Sequence, residues 1–455
     1  MMWPADLFAG RRFVVLGLGR NGLPVVPALV AMGAHVTAWD DSDVARAQLV
    51  ALSKTDGAGT LRDPTPDIAS YDALILSPGI PHRLPAPHPI AAAAIAAGVP
   101  VYSDADLLYR AVRAAGSRAR FVGITGTNGK STTTALVTHI LASAGRSVEA
   151  GGNLGPAALA LSLLDHSGLY VLEMSSYMLE RLGALRFDAA AMLNLSPDHL
   201  DRHGDMAGYA AAKRMIFDRQ ELGDLAVIGT DDADSRAMAA DLAAITISGE
   251  HPADVWFDGT LLRDAADPLL AMTEAPALPG AHNAQNAAAA AAVCLYLGVS
   301  RPAVADGMRS FPGLPHRQQV VARVDGVPYV DDSKATNADA AARALACYGR
   351  IVWIAGGVAK AGGIAALAPY FPRIAHALLI GRDGPALAAQ LGSVPHDVVQ
   401  TLEQALPAAR DAAHRTGADV VLLSPACASF DQFSGFEARG RRFAELAHRL
   451  TERAA

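Results

Sequence analysis

The residues with the clearest chemistry lie at positions 121–134, Phe121-Val-Gly-Ile-Thr-Gly126-Thr127-Asn128-Gly129-Lys130-Ser131-Thr132-Thr-Thr134. An apolar run ends in two glycines, and a lysine with four hydroxyl residues follows, which predicts strand, phosphate loop and helix. Gly126 and Gly129 let backbone N–H groups turn inward, and the new helix adds its positive end. Lys130 then reaches terminal phosphates while Ser131 or Thr132 holds Mg²⁺. A full Walker A pattern has glycine at position 124, where this chain has Ile124, so Gly126 to Ser131 is a tighter variant. A plain turn between strand and helix needs glycine but neither the lysine nor the hydroxyls.

Further chemical residues stand at the ends of predicted strands. The apolar run 169–173 closes on Glu173, and a second run, 189–195, leads into Ser196-Pro-Asp-His199-Leu-Asp201. Both ends deliver their polar groups, Glu173 and His199, to the face where the loop holds phosphate. Mg²⁺ takes one or two acidic oxygens and fills its shell with phosphates and water, and Glu173 supplies such an oxygen. A helix predicted over 206–221 carries Lys213. Residues 278–286 cap a long alanine-rich helix, in which Asn283 and Asn286 are one turn apart; asparagine there serves as a cap, or at least one of the two reads a nucleobase.

Three layered α/β domains are needed to hold these groups. In the first, Phe13-Val-Val-Leu-Gly17-Leu-Gly19-Arg20-Asn21-Gly22 and the strand ending at Asp40 form a G-x-G-x-x-G dinucleotide fingerprint, and strands over 73–76 and 99–102 extend a small parallel sheet. Ligands gather at the carboxyl ends of such strands, so residues 17–22, Asp40 and Ser77-Pro78-Gly79 line one crevice. Taken alone this half suggests an NAD-dependent oxidoreductase, a reading that leaves Lys130, Glu173 and His199 unexplained. A non-catalytic nucleotide switch explains the loop but nothing further along. The charged segment 113–118 marks the first boundary, and the Pro/Gly-rich segment 311–317, which reads as a hinge, marks the second. The domains are thus 1–116, 117–314 and 315–455: Rossmann-like, a central P-loop ATPase-like parallel sheet, and Rossmann-like again. Residues 241–275 resolve only as short strands and turns. In the last domain, strands over 327–331, 350–356, 377–381 and 419–424 alternate with helices, and an amphipathic helix over 436–450 closes the chain.

At 455 residues the chain exceeds one core, with 51% hydrophobic and 18% charged residues. Its net charge of −7 argues against a partner such as a nucleic-acid backbone and suits an enzyme whose anionic ligands are met by local loops and metal ions. Cys294, Cys347 and Cys427 lie far apart, without metal-ligand spacing, which favours a reducing cytosol. Neither a signal peptide nor a membrane span is expected.

Thr125 to Thr132, Leu172-Glu-Met-Ser-Ser176, His199 with Asp201, Tyr209-Ala-Ala-Ala-Lys213, His282-Asn-Ala-Gln-Asn286 and His316-Arg317 together resemble the Mur ligases, which build the peptide of bacterial peptidoglycan. The resemblance spans essentially the whole chain. Asp332-Ser-Lys-Ala-Thr336-Asn and Ser424-Pro-Ala-Cys-Ala-Ser429-Phe-Asp-Gln-Phe433 are similar to the branch that adds D-glutamate. What it implies is a cytoplasmic, monomeric enzyme using ATP, D-glutamate and UDP-N-acetylmuramoyl-L-alanine, with two Mg²⁺ ions. Lys130, His199 and Lys213 would be catalytic. Ser131 and Glu173 would hold one Mg²⁺, His199 and a carbamylated Lys213 the other. ATP would meet residues 126–132, Asn283, Asn286, Arg317 and Asp332. The UDP-sugar would meet Gly19, Arg20, Asn21, Asp40, Ser77, Pro78, Gly79, Asn153 and His199. D-Glutamate would meet Thr336, Lys360, Ser429 and Phe436. After Asp40 the chain departs from the family pattern, reading Asp41-Ser42 in place of Thr-Arg.

Overall fold

The computed structural model describes residues 1–56, 59–265 and 267–452. Its strands form three sheets, as the alternating apolar runs predict. The first is five-stranded and parallel, in the order Thr60–Leu61, His35–Trp39, Arg12–Leu16, Ala73–Leu76, Val101–Tyr102. The chain leaves the central strand toward one edge and later returns to the other, so the loop after Leu16 and the loop after Leu76 sit side by side at a topological switch point. Val99 and Pro100, expected in the last strand, precede it.

The second sheet has nine strands, in the order Pro268–Ala271, Leu261–Asp264, Val255–Phe257, Ile245–Ser248, Leu225–Gly229, Ala189–Met192, Arg120–Thr125, Leu169–Glu173, Val148–Gly152. It is parallel from Val148–Gly152 across to Val255–Phe257, and two antiparallel strands finish the far edge. Those two, with the two before them, account for the stretch the sequence left unassigned. Arg120–Thr125 lies between Leu169–Glu173 and Ala189–Met192, so the phosphate loop is flanked by the two strand ends that carry Glu173 and Asn194.

Two helices differ from their expected bounds. The helix from Met206 ends at Arg214 rather than at residue 221, because the backbone tightens to i→i+3 bonds from Ile216 to Lys213 and from Phe217 to Arg214, which turns Ile216 and Phe217 into the core. The alanine-rich helix starts at Ala281, which places Asn283 and Asn286 inside its first turns instead of at the cap. Its alanines from Ala287 to Ala291 are wholly buried, small side chains that allow close packing on every face.

The third sheet runs Gln319–Val324, Val327–Asp331, Val420–Leu423, Ile351–Gly356, Ile374–Ile380, His396–Gln400, parallel except for the first strand. Its two edge strands escaped the sequence reading because half-exposed edges carry a weak apolar signal. The closing amphipathic helix is present as Phe436–Glu452.

By contacts the chain divides into two compact units, one of residues 1–275 with 283–311, the other of 276–282 with 312 onward. The first two sheets share a unit because polar ties cross between them. Asp106 Oδ1 accepts from the backbone N–H groups of Gly183, Ala184 and Leu185, Asp104 accepts from Ala158 N, and Trp3 Nε1 donates to Leu161 O.

Candidate active site

The phosphate loop is built by its two glycines and one asparagine. Gly126 and Gly129 have φ of 149° and 84°, and a Cβ on Gly129 would lie 2.2 Å from Asn286 Oδ1. Glycine is therefore required twice over, by conformation and by space. Asn194, at the end of the neighbouring strand, grips the loop from the side: its Oδ1 accepts from Asn128 N at 2.9 Å and its Nδ2 donates to Asn128 O at 3.2 Å. Thr127 N donates to Asn194 O, and Thr127 Oγ1 accepts from Ser196 N. Behind the loop, the Asn286 amide is buried, accepting from Thr133 Oγ1 and donating to Asn283 Oδ1.

Four of the expected catalytic and metal-binding groups come together at this loop. Lys130 Nζ donates to Gly126 O at 2.9 Å and to Thr127 O at 2.8 Å, and Lys213 Nζ donates to the same Gly126 O at 2.8 Å. Lys213 is 1% exposed and lies 4.7 Å from the Tyr209 ring centroid. Burial, and then the charge of Lys130, hold its pKa well below the usual lysine value. Glu173 is buried too; Oε1 accepts from Asn153 Nδ2, while Oε2 has no hydrogen-bond partner among the described residues. A buried, unpartnered carboxylate oxygen beside a phosphate loop fits a hard cation, and Ser131 is buried in the first turn of the adjoining helix. No cluster of three or more His, Cys, Asp or Glu side chains among the described residues could hold a metal alone. That suits Mg²⁺, which completes its shell with phosphate and water. His199 stands at φ 54° with its ring 5.0 Å from that of Tyr177; burial lowers its pKa against the pull of Asp198, leaving a neutral imidazole able to bind a cation.

The crevice of the first sheet also forms as expected. Ser77 Oγ donates to Gly17 O at 2.8 Å, and a Cβ on Gly22 would lie 1.7 Å from Gly17 O, so the two loops lock together. Asp40 is engaged by its own chain: Oδ2 accepts from Leu18 N and Oδ1 from Ser42 N. Arg20 and Asn21 donate across to Gly155 O and Gly152 O, beside Asn153.

In the second unit the expected amino-acid residues occupy the carboxyl ends of three neighbouring strands. Asp332 and Thr336 follow Val327–Asp331, Lys360 follows Ile351–Gly356, and Ser429 follows Val420–Leu423. An antiparallel bridge from Val358 to Ala428 ties the last two loops. Phe436 opens the final helix, and Lys334 Nζ sits 4.0 Å above its ring. Arg317 lies in the preceding turn, bridged to Leu314. Asp332 is buried, and burial pushes its pKa up to about 7 although Ser424 Oγ donates to it at 2.8 Å.

A family model described as the Mur ligase middle domain matches residues 124–294, and one described as the Mur ligase glutamate ligase domain matches residues 316–427. Over 98% of this chain and 98% of the relative, the sequence is 46% identical to the UDP-N-acetylmuramoylalanine--D-glutamate ligase of Paramagnetospirillum magneticum. The enzyme of the same name from Caulobacter vibrioides is 45% identical over 99% of this chain and 98% of its own. The chain belongs to the Mur ligase family. Solved Mur ligases share the fold at low identity. MurC from Thermotoga maritima has a TM-score of 0.59 at 17% identity, covering 96% of this chain and 99% of that one; MurF from Acinetobacter baumannii has 0.57 at 18%, covering 79% and 87%.

Three residues that build this Mur ligase's sites were given no role from sequence. Asn194 had a signal, a polar side chain closing an apolar strand. Arg181 and Arg439 had none of their own, since a charged residue next to an apolar run is ordinarily solvated. Arg439 is 1% exposed and donates to the carbonyls of Ser333, Gly356 and Cys427, one from each of the three loops named above. The glycine after it did carry a clue. Gly440 weakens the middle of a helix, and a Cβ there would lie 2.1 Å from His316 Nδ1, which pairs with Asp331 at 2.7 Å.

Asn194→Ala removes two bonds to Asn128, each worth about 1 kcal/mol; ATP affinity should fall roughly tenfold or more in calorimetric titration, and an unchanged affinity would remove Asn194 from the loop's support. Asp332 gives a pH signature. Its folded carboxyl keeps a proton to about pH 7 whereas the unfolded one releases it near 3.8, so stability falls as pH rises through that window. Relative to Asp332→Asn, the wild type should lose about 2–4 kcal/mol between pH 4 and 8, read from urea midpoints of the transition that unfolds the second unit. Parallel curves would show that Asp332 is ionised in the fold.

Proposed function

We propose that this chain is an ATP-dependent amide-bond-forming ligase that joins D-glutamate to UDP-N-acetylmuramoyl-L-alanine in bacterial peptidoglycan precursor synthesis, acting as a cytoplasmic monomer. The observation that carries the reading is the convergence of Lys130 and Lys213 on Gly126 O beside the open oxygen of Glu173. The relatives' shared name supplies the substrates. An oxidoreductase reading has no use for Lys130, Lys213 and Glu173, which meet at the phosphate loop. No helix among the described residues is long and apolar enough to cross a membrane.

A carboxylate is too poor an electrophile to meet an amine directly. The substrate carboxylate oxygen therefore attacks the γ-phosphorus of ATP, ADP leaves, and the resulting acyl phosphate is attacked by the nitrogen of D-glutamate. The C–N bond forms, phosphate departs, and the amine gives up a proton. The positive end of the helix that starts at Lys130 and the Lys130 ammonium face the negative oxygens of the moving phosphoryl group. Ser131 and Glu173 would hold one Mg²⁺, His199 and Lys213 a second. Bound there, Mg²⁺ supplies charge neutralisation that the chain's own cations leave incomplete. Asn283 and Asn286, with Arg317 and Asp332, serve ATP; Gly19, Arg20, Asn21, Asp40, Ser77 to Gly79, Asn153 and His199 serve the UDP-sugar; Thr336, Lys360, Ser429 and Phe436 serve D-glutamate.

ADP release should require ATP, Mg²⁺, UDP-N-acetylmuramoyl-L-alanine and D-glutamate together. Comparable turnover with L-lysine or meso-diaminopimelate would sink the assignment.

Lys213 acts as a carbamate. A buried ammonium beside Lys130 favours its neutral amine, whose nitrogen bonds to the carbon of CO₂ and releases a proton. The anion formed offers Mg²⁺ hard oxygen ligands in place of a repelling charge. Lys213→Ala should lose roughly 100-fold or more in kcat, and Lys213→Arg should not restore it. Labelled bicarbonate should give the wild type a carbamate carbon signal that Lys213→Ala lacks; normal turnover by Lys213→Arg would exclude the modification.

A further inference from the structure

Arg181 is 3% exposed, and a guanidinium in such a place is costly unless each N–H finds an acceptor. Here the five donors meet five acceptors, all from one short segment of the first sheet's crevice. Nη1 donates to Leu76 O and Ser77 O, both at 2.9 Å, Nη2 to Pro78 O at 3.3 Å and Ile80 O at 2.5 Å, and Nε to His82 Nδ1 at 3.3 Å. The last bond needs a neutral imidazole, and burial with the nearby guanidinium pushes the His82 pKa down to about 4.

Four carbonyl oxygens turned to one point repel one another, so this conformation of residues 76–80 requires a cation at its focus. The consequence appears on the other edge of the segment. A trans peptide is planar, with N–H opposed to C=O. Because Pro78 O points inward to Arg181, the Gly79 N–H of the same peptide points the other way, and a Cβ on Gly79 would meet nothing within 4 Å. A carbonyl bonded to a guanidinium also polarises its peptide and makes that N–H a stronger donor.

We propose that Arg181 is a positioning residue for the anionic part of the UDP-sugar: by gathering the carbonyls of residues 76–80 it aims the Gly79 N–H at the diphosphate. The proposal rests on the ligase reading only for the identity of the ligand. Lysine keeps the charge but has three donors on one nitrogen, so it cannot hold four carbonyls and an imidazole in the same fork.

The test compares wild type with Arg181→Lys in two measurements. In steady-state ADP release, KM for UDP-N-acetylmuramoyl-L-alanine should rise roughly tenfold or more, with kcat and KM for ATP within about twofold. A tie that merely joins two sheets would lower kcat through lost active protein and leave KM alone, and that pattern overturns the proposal. In calorimetry with UDP as the probe, binding should weaken in Arg181→Lys; equal binding, or none to the wild type, overturns it. A wild type that binds UDP yet makes no D-glutamyl product refutes the ligase reading and leaves the Arg181 role to the UDP result. If Arg181→Lys does not fold, Gly79→Pro, which deletes the N–H and keeps the arginine, must weaken UDP to a similar degree, and unchanged binding overturns the proposal.

Discussion

Two lysine ammonium groups share the carbonyl oxygen of Gly126, and this crowding of like charge is the constraint around which the catalytic centre is arranged. One of the pair, Lys213, is almost wholly buried, where water cannot screen its neighbour. Relief comes by neutralising one amine or by bringing in negative charge. The same corner therefore favours phosphate, a carboxylate and the neutral form of one lysine.

The parallel sheet makes that crowding possible. Successive strands all end on the same side, so residues far apart in sequence, Gly126, Glu173 and Asn194, are delivered to the ends of three adjacent strands, with that of Gly126 in the middle. The third sheet repeats the device, placing Asp332, Lys360 and Ser429 at the ends of three adjacent strands. In both places hydrogen-bonded strands set the spacing, and loops carry the chemistry.

Loops at strand ends have backbone carbonyls that no ladder satisfies, and this molecule answers with buried guanidinium groups. Arg181 fastens one loop of the first sheet, while Arg439 fastens three loops of the last. The two positions share no sequence pattern. A planar fork of five donors can hold more carbonyls at once, and in a fixed geometry, than the three-donor ammonium of lysine. Rigidity near the substrates is thereby obtained from inside the fold, without crowding the crevice itself.

The sequence alone determined the phosphate loop, the first-sheet glycine loop and the buried strands of the alternating pattern, since these are local: a glycine forced to positive φ at Gly129, or an apolar run closing on Glu173, leaves its mark within a few residues. It also carried the family, through short motifs spread over the chain. Tertiary structure decided what depended on distant neighbours. Asn286 packs behind Gly129 and accepts from Thr133 Oγ1 because its helix begins at Ala281 and puts it in the second turn. Asp40 turned inward to two amides. The helix after Met206 stopped at Arg214 when the core took Ile216 and Phe217. Arg181 and Arg439 became internal, for burial of a charge depends on which acceptors the fold brings to it, and those acceptors lie about a hundred residues away from Arg181 and in three separate loops around Arg439.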